Sequence, residues 1–367
     1  MTLKSVDEPA AADIAIERQG ALARIVLKRT RALNALDTAM RSLIAEAIPM
    51  LARDPGLYAV VLRSTSPKAF SAGGDVRELI AWHRQEPARA KAAFADEYRL
   101  NWMLDCFSKP TVSLIDGMVM GSGVGISIYN THCVAGPGYR FAMPETMIGL
   151  FPDVGVAHRL SRLPGEIGTY LGLTGRTIER GDAYALGLVT HCIAAERFDA
   201  IEAALADAQP VDALLDGLHE APGSAPLMSH AQLIDQCFAA DRVEDIVGRL
   251  DAVVGAEHDF AKGIAADLAK RSPTSLKITL RHLREARGMD LRQVLAADYR
   301  LACRSLEDHD FAEGVRASLI DKDNLPVWRP PTLDGVTAAA VARYFAPLPA
   351  GEELVLPTRV QMQTARV

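Results

Sequence analysis

The apolar positions of this chain change period as it runs. Between residues 13 and 28 they alternate: Ile14 and Ile16 sit between Ala and Glu, and Ala23, Ile25 and Leu27 follow the turn at Gln19-Gly20. That two-residue period predicts a pair of strands. Residues 29–37 read as a connection. From Asp37, an N-cap, the period becomes helical, with Met40, Leu43, Ile44, Ala47, Ile48 and Leu51 on one face and Asp54-Pro55-Gly56 as the stop. Short apolar runs at 58–63 and 111–116 predict buried strands. Between them, residues 80–109 read as a polar helix that carries Glu97 and ends at Lys109-Pro110. Strands are expected again over 132–142. Residues 155–190 read as two short helices separated by LTGRT, closing on a strand in LVTHCI.

Two short strands followed by a helix recur three or four times before residue 195. This points to an α/β fold with a layered or spiral architecture rather than one doubly wound sheet. Beyond residue 196 the strand signal stops. Residues 196–270 are rich in Ala, Leu and Asp with helical periodicity, and Ser272-Pro273 opens a further helix as N-cap and N1. The expected division is a spiral core over 12–200, a helical C-terminal region over 201–348 and a tail over 349–367. The ordered helical part is expected to end within 310–330, and the tail after about residue 350 to be loose or partner-bound.

Three stretches carry candidate chemistry. KAFSAGGDVREL (68–79) places Gly73 and Gly74 at the end of a strand, where glycine permits close approach of the backbone to a ligand. An ordinary strand-to-helix turn is the plainer alternative. GMVMGSGVGISIYN (117–130) holds Gly117, Gly121, Gly123 and Gly125. Its spacing is neither a dinucleotide fingerprint nor a phosphate loop, and Met120 excludes a nucleophile elbow. It does present backbone N–H groups at a helix start, a place to hold negative charge. FAMPETMIGLFPD (141–153) delivers Glu145 and Asp153, each preceded by a proline, inside an apolar segment. Gly149 permits a reversal that brings the two acids together, and burial together with mutual repulsion would raise at least one of their pKa values. Either acid could instead cap a turn.

Composition narrows the field. In 367 residues, 49% hydrophobic and 23% charged, there is room for an ample core and one or two domains. A formal net charge of −6 gives no general case for nucleic-acid binding. Cys106, Cys133, Cys192, Cys237 and Cys303 are far apart and form no CxxC pair, so neither zinc nor a redox motif is indicated; the odd count fits a reducing compartment. No signal or transit peptide is read at the N-terminus and no apolar run reaches membrane-spanning length, so a cytoplasmic location is expected. His191 reads as a structural histidine. Residues 270–287 carry Lys270, Arg271, Lys277, Arg281, Arg284 and Arg287 against Glu285 alone: a solvated face, or a site for a phosphate-bearing ligand.

Taken together, RALNALD, KAFSAGGDVREL, GMVMGSGVGIS, FAMPETMIGLFPDVG, YLGLTGRTIERGDAYALGLVTH and DFAEGVRASLIDKDNLPVW, in this order over roughly residues 12–335, resemble the crotonase, or enoyl-CoA hydratase/isomerase, superfamily. The resemblance is greatest to the branch that hydrolyses 3-hydroxyisobutyryl-CoA in valine breakdown. It implies a crotonase-like spiral of ββα repeats followed by helices, an acyl-CoA substrate and two backbone N–H donors for the thioester oxygen. By motif position those donors are Gly74 and Ser122, with Gly73 and Gly121 beside the substrate; the family usually has Gly where Ser122 stands. Glu97, Glu145 and Asp153 match acids that line the acyl pocket of the hydrolase branch. Glu145 would activate water or attack the carbonyl, and Asp153 would bind the 3-hydroxyl or orient Glu145.

Two departures from the hydratase pattern favour hydrolysis: Gly125 stands where hydratases place a second catalytic Glu, and Asp153 where they usually have Gly. Lys277 and Arg281 are candidates for the CoA phosphates. No metal or redox cofactor is implied, since CoA is part of the substrate. No nucleic-acid or membrane partner is expected. The superfamily forms trimers and hexamers, which leaves a homo-oligomer open. The alternatives are an enoyl-CoA hydratase or isomerase using Glu145 alone, and a non-catalytic acyl-CoA-binding protein.

Overall fold

After an opening hairpin, each of the next three turns of the chain lays one strand in each of two sheets. The computed structural model describes residues 13–366. Strands β1 (Ile14–Gln19) and β2 (Leu22–Leu27) form the expected antiparallel hairpin, with Ile14 opposite Leu27. Helix α1 (Thr38–Arg53) begins where the Asp37 side chain accepts from the Met40 N–H, and it buries Met40, Ile44, Ala47 and Ile48. Then come β3 (Ala59–Ser64) and β4 (Ala69–Ser71), helices α2 (Val76–Gln85) and α3 (Pro87–Cys106), and β5 (Thr111–Ile115) and β6 (Met118–Met120). The short helix α4 (Ser122–Gly125) is followed by β7 (His132–Ala135), β8 (Arg140–Ala142), β9 (Ile178–Glu179) and β10 (His191–Cys192). One sheet has the order β1-β2-β3-β5-β7-β10 and the other β4-β6-β8-β9. Both faces of the larger sheet are covered. Leu22, Val61, Val112 and Val134 pack under Phe198, Ile201 and Leu205, while Ile25, Val60 and Leu62 face the main core. That is why these strands read as near-continuous apolar runs.

Several expectations need correction. Residues 80–109 are two helices, because Pro87 starts a second helix at N1 after Glu86. Nor is α3 a solvated helix. It packs against α1, α2 and a later helix, and so buries Glu97, Tyr98, Asn101 and Trp102. Within 155–190 there are three helices: Ile167–Thr174 and Arg180–Ala185 flank LTGRT, and Val156–Leu160 precedes them without a side-chain cap.

Among the described residues no strand follows Cys192. Helix α5 (Pro273–Ala286) starts as expected, with Ser272 Oγ accepting from the Ser275 N–H, and α6 (Leu291–Glu307) is opened by a reciprocal Asp290–Gln293 cap. The helical part does not end by residue 330, because Ala338–Phe345 is helical. The tail is packed rather than loose: its helix α7 (Arg359–Thr364) lies on α3. Trp102 Nε1 donates to the Pro357 carbonyl at 2.8 Å, Arg53 donates to the Ala365 carbonyl at 3.0 Å, and Leu354, Leu356 and Met362 are buried. One apolar core runs from Ile14 to Met362, shared by the spiral and the C-terminal helices.

Candidate active site

Strands β4, β6 and β8 are parallel neighbours, with Ala69 beside Met118 and Met118 beside Arg140. The segments beyond their carboxyl ends must therefore meet at one edge, the usual place for a ligand in an α/β sheet. Those segments carry Gly73-Gly74, Gly121-Ser122 and Pro144-Glu145. The approach is close. At Gly121, where φ is +45°, a Cβ would stand 3.1 Å from Glu145 Oε1 and 3.4 Å from Gly73 Cα; a Cβ on Gly74 would stand 2.7 Å from Ser122 Oγ. Among the described residues neither the Gly74 nor the Ser122 amide donates to a protein acceptor. Ser122 is the first residue of α4, so its N–H has no intrahelical partner. Both residues line a cavity of about 240 Å³ together with Gly73, Gly121, Glu97, Glu145 and Asp153.

The segment carrying the two acids is a one-turn helix, Glu145–Ile148, closed by Gly149 at φ +73°. A Cβ at Gly149 would lie 2.2 Å from the Asp310 carbonyl oxygen, so the reversal between the acids requires glycine. Glu145 is buried, and among the described residues its Oε2 has no hydrogen-bond partner. Burial pushes its carboxyl up to about 8. Asp153 Oδ2 accepts from the Tyr98 hydroxyl at 2.8 Å. Burial, followed by the charges of Glu97, Glu145 and Asp298, holds the Asp153 carboxyl well above its ordinary range.

The backbone beyond Asp153 is strained. Val154 sits at φ +52°, unusual for a β-branched residue. Tyr129 donates to the Val154 carbonyl at 2.7 Å, and the Gly155 N–H donates to Asp298 Oδ2 at 2.6 Å. Asp298 is itself paired with His282 at 2.6 Å. Glu97 completes the group of acids from α3, paired with Arg41 Nη1 at 2.7 Å.

The strand ends thus bring together Gly73, Gly74, Gly121, Ser122, Glu97, Glu145 and Asp153. Lys277 and Arg281 do not line this cavity. They border a different one, of about 770 Å³, where Lys277 Nζ meets Glu244 at 2.6 Å and the Val336 carbonyl at 3.0 Å, and Arg281 meets Glu285 at 2.7 Å. In the same basic run Arg271 donates to the Thr174 carbonyl, and Arg284 and Arg287 share Glu166. His191 meets Asp216 at 3.1 Å, away from the acids.

Sequence reasoning missed Arg41, Tyr98, Asn101, His282 and Asp298. One signal was present: Arg41 lies on the stripe Ile44–Ile48, at i, i+3 and i+7, so a cation stood on a core-facing line. Gly125 has a structural reason of its own. A Cβ there would lie 2.8 Å from Asn101 Nδ2 and 2.9 Å from Val154 Cβ, so the space a longer side chain would need is filled.

Two unpaired backbone amides facing a buried carboxylic acid, at the strand ends of a spiral α/β fold, define a crotonase-type architecture. A family model described as Enoyl-CoA hydratase/isomerase matches residues 22–345, and the chain belongs to that family. It is 38% identical over 343 residues to "3-hydroxyisobutyryl-CoA hydrolase, mitochondrial" of Xenopus tropicalis, covering 91% of this chain and 88% of the relative. It is also 38% identical over 349 residues to the protein of that name from Danio rerio, covering 92% and 91%. A solved structure titled as a carnitinyl-CoA dehydratase from Mycobacterium thermoresistibile superposes with a TM-score of 0.88 at 36% identity, covering 94% of this chain and 98% of that one. The expectation of a cytoplasmic location does not stand, because both named relatives are mitochondrial proteins.

Proposed function

We propose that this protein hydrolyses the thioester of 3-hydroxyisobutyryl-CoA, or of a similar short 3-hydroxyacyl-CoA, to the free acid and CoA, a step of valine breakdown. The thioester oxygen accepts hydrogen bonds from the Gly74 and Ser122 amides as it becomes an oxyanion; one such donor contributes about 3 kcal/mol to the transition state. Glu145, once ionised, takes a proton from a water whose oxygen bonds to the carbonyl carbon. The tetrahedral adduct then breaks its C–S bond, and the CoA thiolate leaves with a proton. Direct attack by Glu145 would use the same oxyanion donors. Asp153, held by Tyr98, and Glu97, held by Arg41, form the polar end that receives the substrate hydroxyl. Phe94, Leu79, Met120, Ile148 and Leu150 supply the apolar walls. The reaction needs no cofactor beyond the CoA of its substrate.

The observation that carries this reading over hydration is the filled space at Gly125. Addition of water to an enoyl ester uses one group to position the water and one to manage the α-proton, and Asn101 and Val154 exclude the second acid. The names of the two relatives support the same choice. Incubation of the purified protein with 3-hydroxyisobutyryl-CoA and with crotonyl-CoA tests it. Thiol release from the first, with no loss of enoyl absorbance from the second, is expected. The reverse pattern would identify a hydratase, and binding of either ester without turnover would identify a carrier.

A further inference from the structure

We propose that Arg41 is a positioning residue that fixes Glu97 as a hydrogen-bond acceptor and thereby sets a preference for acyl chains bearing a hydroxyl. The proposal rests on the thioester reading above. Arg41 comes from α1 and Glu97 from α3, and both side chains are only 4% exposed. Arg41 Nη1 holds Glu97 Oε2 at 2.7 Å, Nη2 donates to Thr38 Oγ1 at 3.2 Å, and Nε is buried without a partner among the described residues. Among the described residues the one side-chain hydrogen bond to Glu97 is that from Arg41, on Oε2, and Glu97 lines the cavity. Arg41 Nη1 also lies 3.4 Å from where a Cβ of Gly74 would stand, so the ion pair sits beside the amide assigned to the thioester oxygen.

A buried ion pair is a poor source of stability, because desolvation offsets most of its attraction. Its place on the wall of this cavity points instead to a role in recognition. A carboxylate only accepts hydrogen bonds, whereas a protonated acid also donates. Held by Arg41, Glu97 demands a donor from the acyl chain, and an unsubstituted chain leaves a buried carboxylate oxygen unmatched. The ionisable groups around Glu97 are Arg41 on α1, Tyr98 on its own helix and Asp153 on the facing turn. Glu145 and Asp298 lie beyond Asp153, and Glu78 of α2 reaches the start of α1 through Thr38.

The test compares kcat/KM for 3-hydroxyisobutyryl-CoA and for isobutyryl-CoA across about pH 5.5 to 9, in the wild type, Arg41→Lys, Arg41→Met and the double variant Arg41→Met/Glu97→Gln. The ratio of the two substrates cancels the ionisation of Glu145, which both need. In the wild type the ratio is high and flat with pH, and Arg41→Lys keeps it. In Arg41→Met, which removes the group that holds Glu97, it drops by about tenfold or more. In the double variant it is low and flat. A wild-type ratio in Arg41→Met, or a ratio in Arg41→Lys as low as that of Arg41→Met, overturns the proposal. If Arg41→Met does not fold, the double variant carries no unpaired buried charge and decides alone: a low, flat ratio supports the proposal and a wild-type ratio overturns it. If the wild type releases thiol from neither ester, the thioester reading fails. The same ratio is then taken from calorimetric Kd values, with the same outcomes expected for Arg41.

Discussion

The strand ends at Gly74, Ser122 and Glu145 and the basic helix α5 both looked like places to hold negative charge, and they differ in what their polar groups have left to give. At the strand ends, among the described residues, the two amides have no acceptor and Glu145 Oε2 has no donor. On α5 the donors are engaged: Lys277 with Glu244 and a carbonyl, Arg281 with Glu285, and Arg284 and Arg287 with Glu166. A binding site is marked by donors that the fold leaves unpaired. A run of like charges in the sequence does not reveal whether acids from elsewhere in the chain will consume it.

Glu145→Gln should have the largest effect. Thioester cleavage should drop by about 10³-fold, while calorimetric binding of the substrate is retained, since amide and acid have nearly the same shape. The same variant should be more stable than the wild type above about pH 5. Glu145 is raised from 4.5 to about 8 in the fold, so over that window the unfolded chain binds fewer protons and wild-type stability falls as pH rises. Glu145→Gln removes that slope, which denaturant unfolding at two pH values will show.

Ser122→Pro, which deletes an amide at a position where helices accept proline, should lower kcat by about 10²–10³-fold in a folded protein. Ser122→Ala, which keeps the amide, should stay within about threefold of wild type. Equal losses would assign the chemistry to the hydroxyl.

Gly149→Ala tests whether the reversal between the two acids is imposed by the backbone. With φ at +73° and the Asp310 carbonyl in the way, it should cost about 2 kcal/mol or more in urea unfolding and reduce activity with it. The smallest effect is expected at the basic helix. Lys277→Glu should change KM for the CoA ester by less than about twofold and cost at most about 1 kcal/mol of stability. A several-fold rise in KM for the CoA ester, absent for a truncated pantetheine ester, would instead restore α5 as a phosphate site.

The features legible in the sequence were local. The β1–β2 turn, the Asp37 and Ser272 caps, the paired glycines and the apolar setting of Glu145 and Asp153 all declare themselves within a few neighbours. The features that stayed hidden depend on contacts across the chain. Arg41 meets Glu97 across 56 positions, and Asp298 meets Gly155 across 143. No local period encodes either pairing. Helix α3 read as polar because its sequence mixes polar and apolar residues, yet it is covered from several sides, including by α7 from the far end of the chain. The parallel register of β4, β6 and β8 brings the site together, and it arises from the winding of the spiral rather than from any one strand's residues.

On the proposed mechanism Glu145 acts as a base from a buried position. The pH dependence of wild-type kcat/KM for 3-hydroxyisobutyryl-CoA tests it most directly, because that parameter reports the free enzyme. Glu145 must lose its proton before it can take one from water. The rate should therefore rise about tenfold per pH unit on the acid side and level off above an apparent pKa near 8. A profile that is flat from about pH 6 to 9, or one that falls through that range, would contradict it.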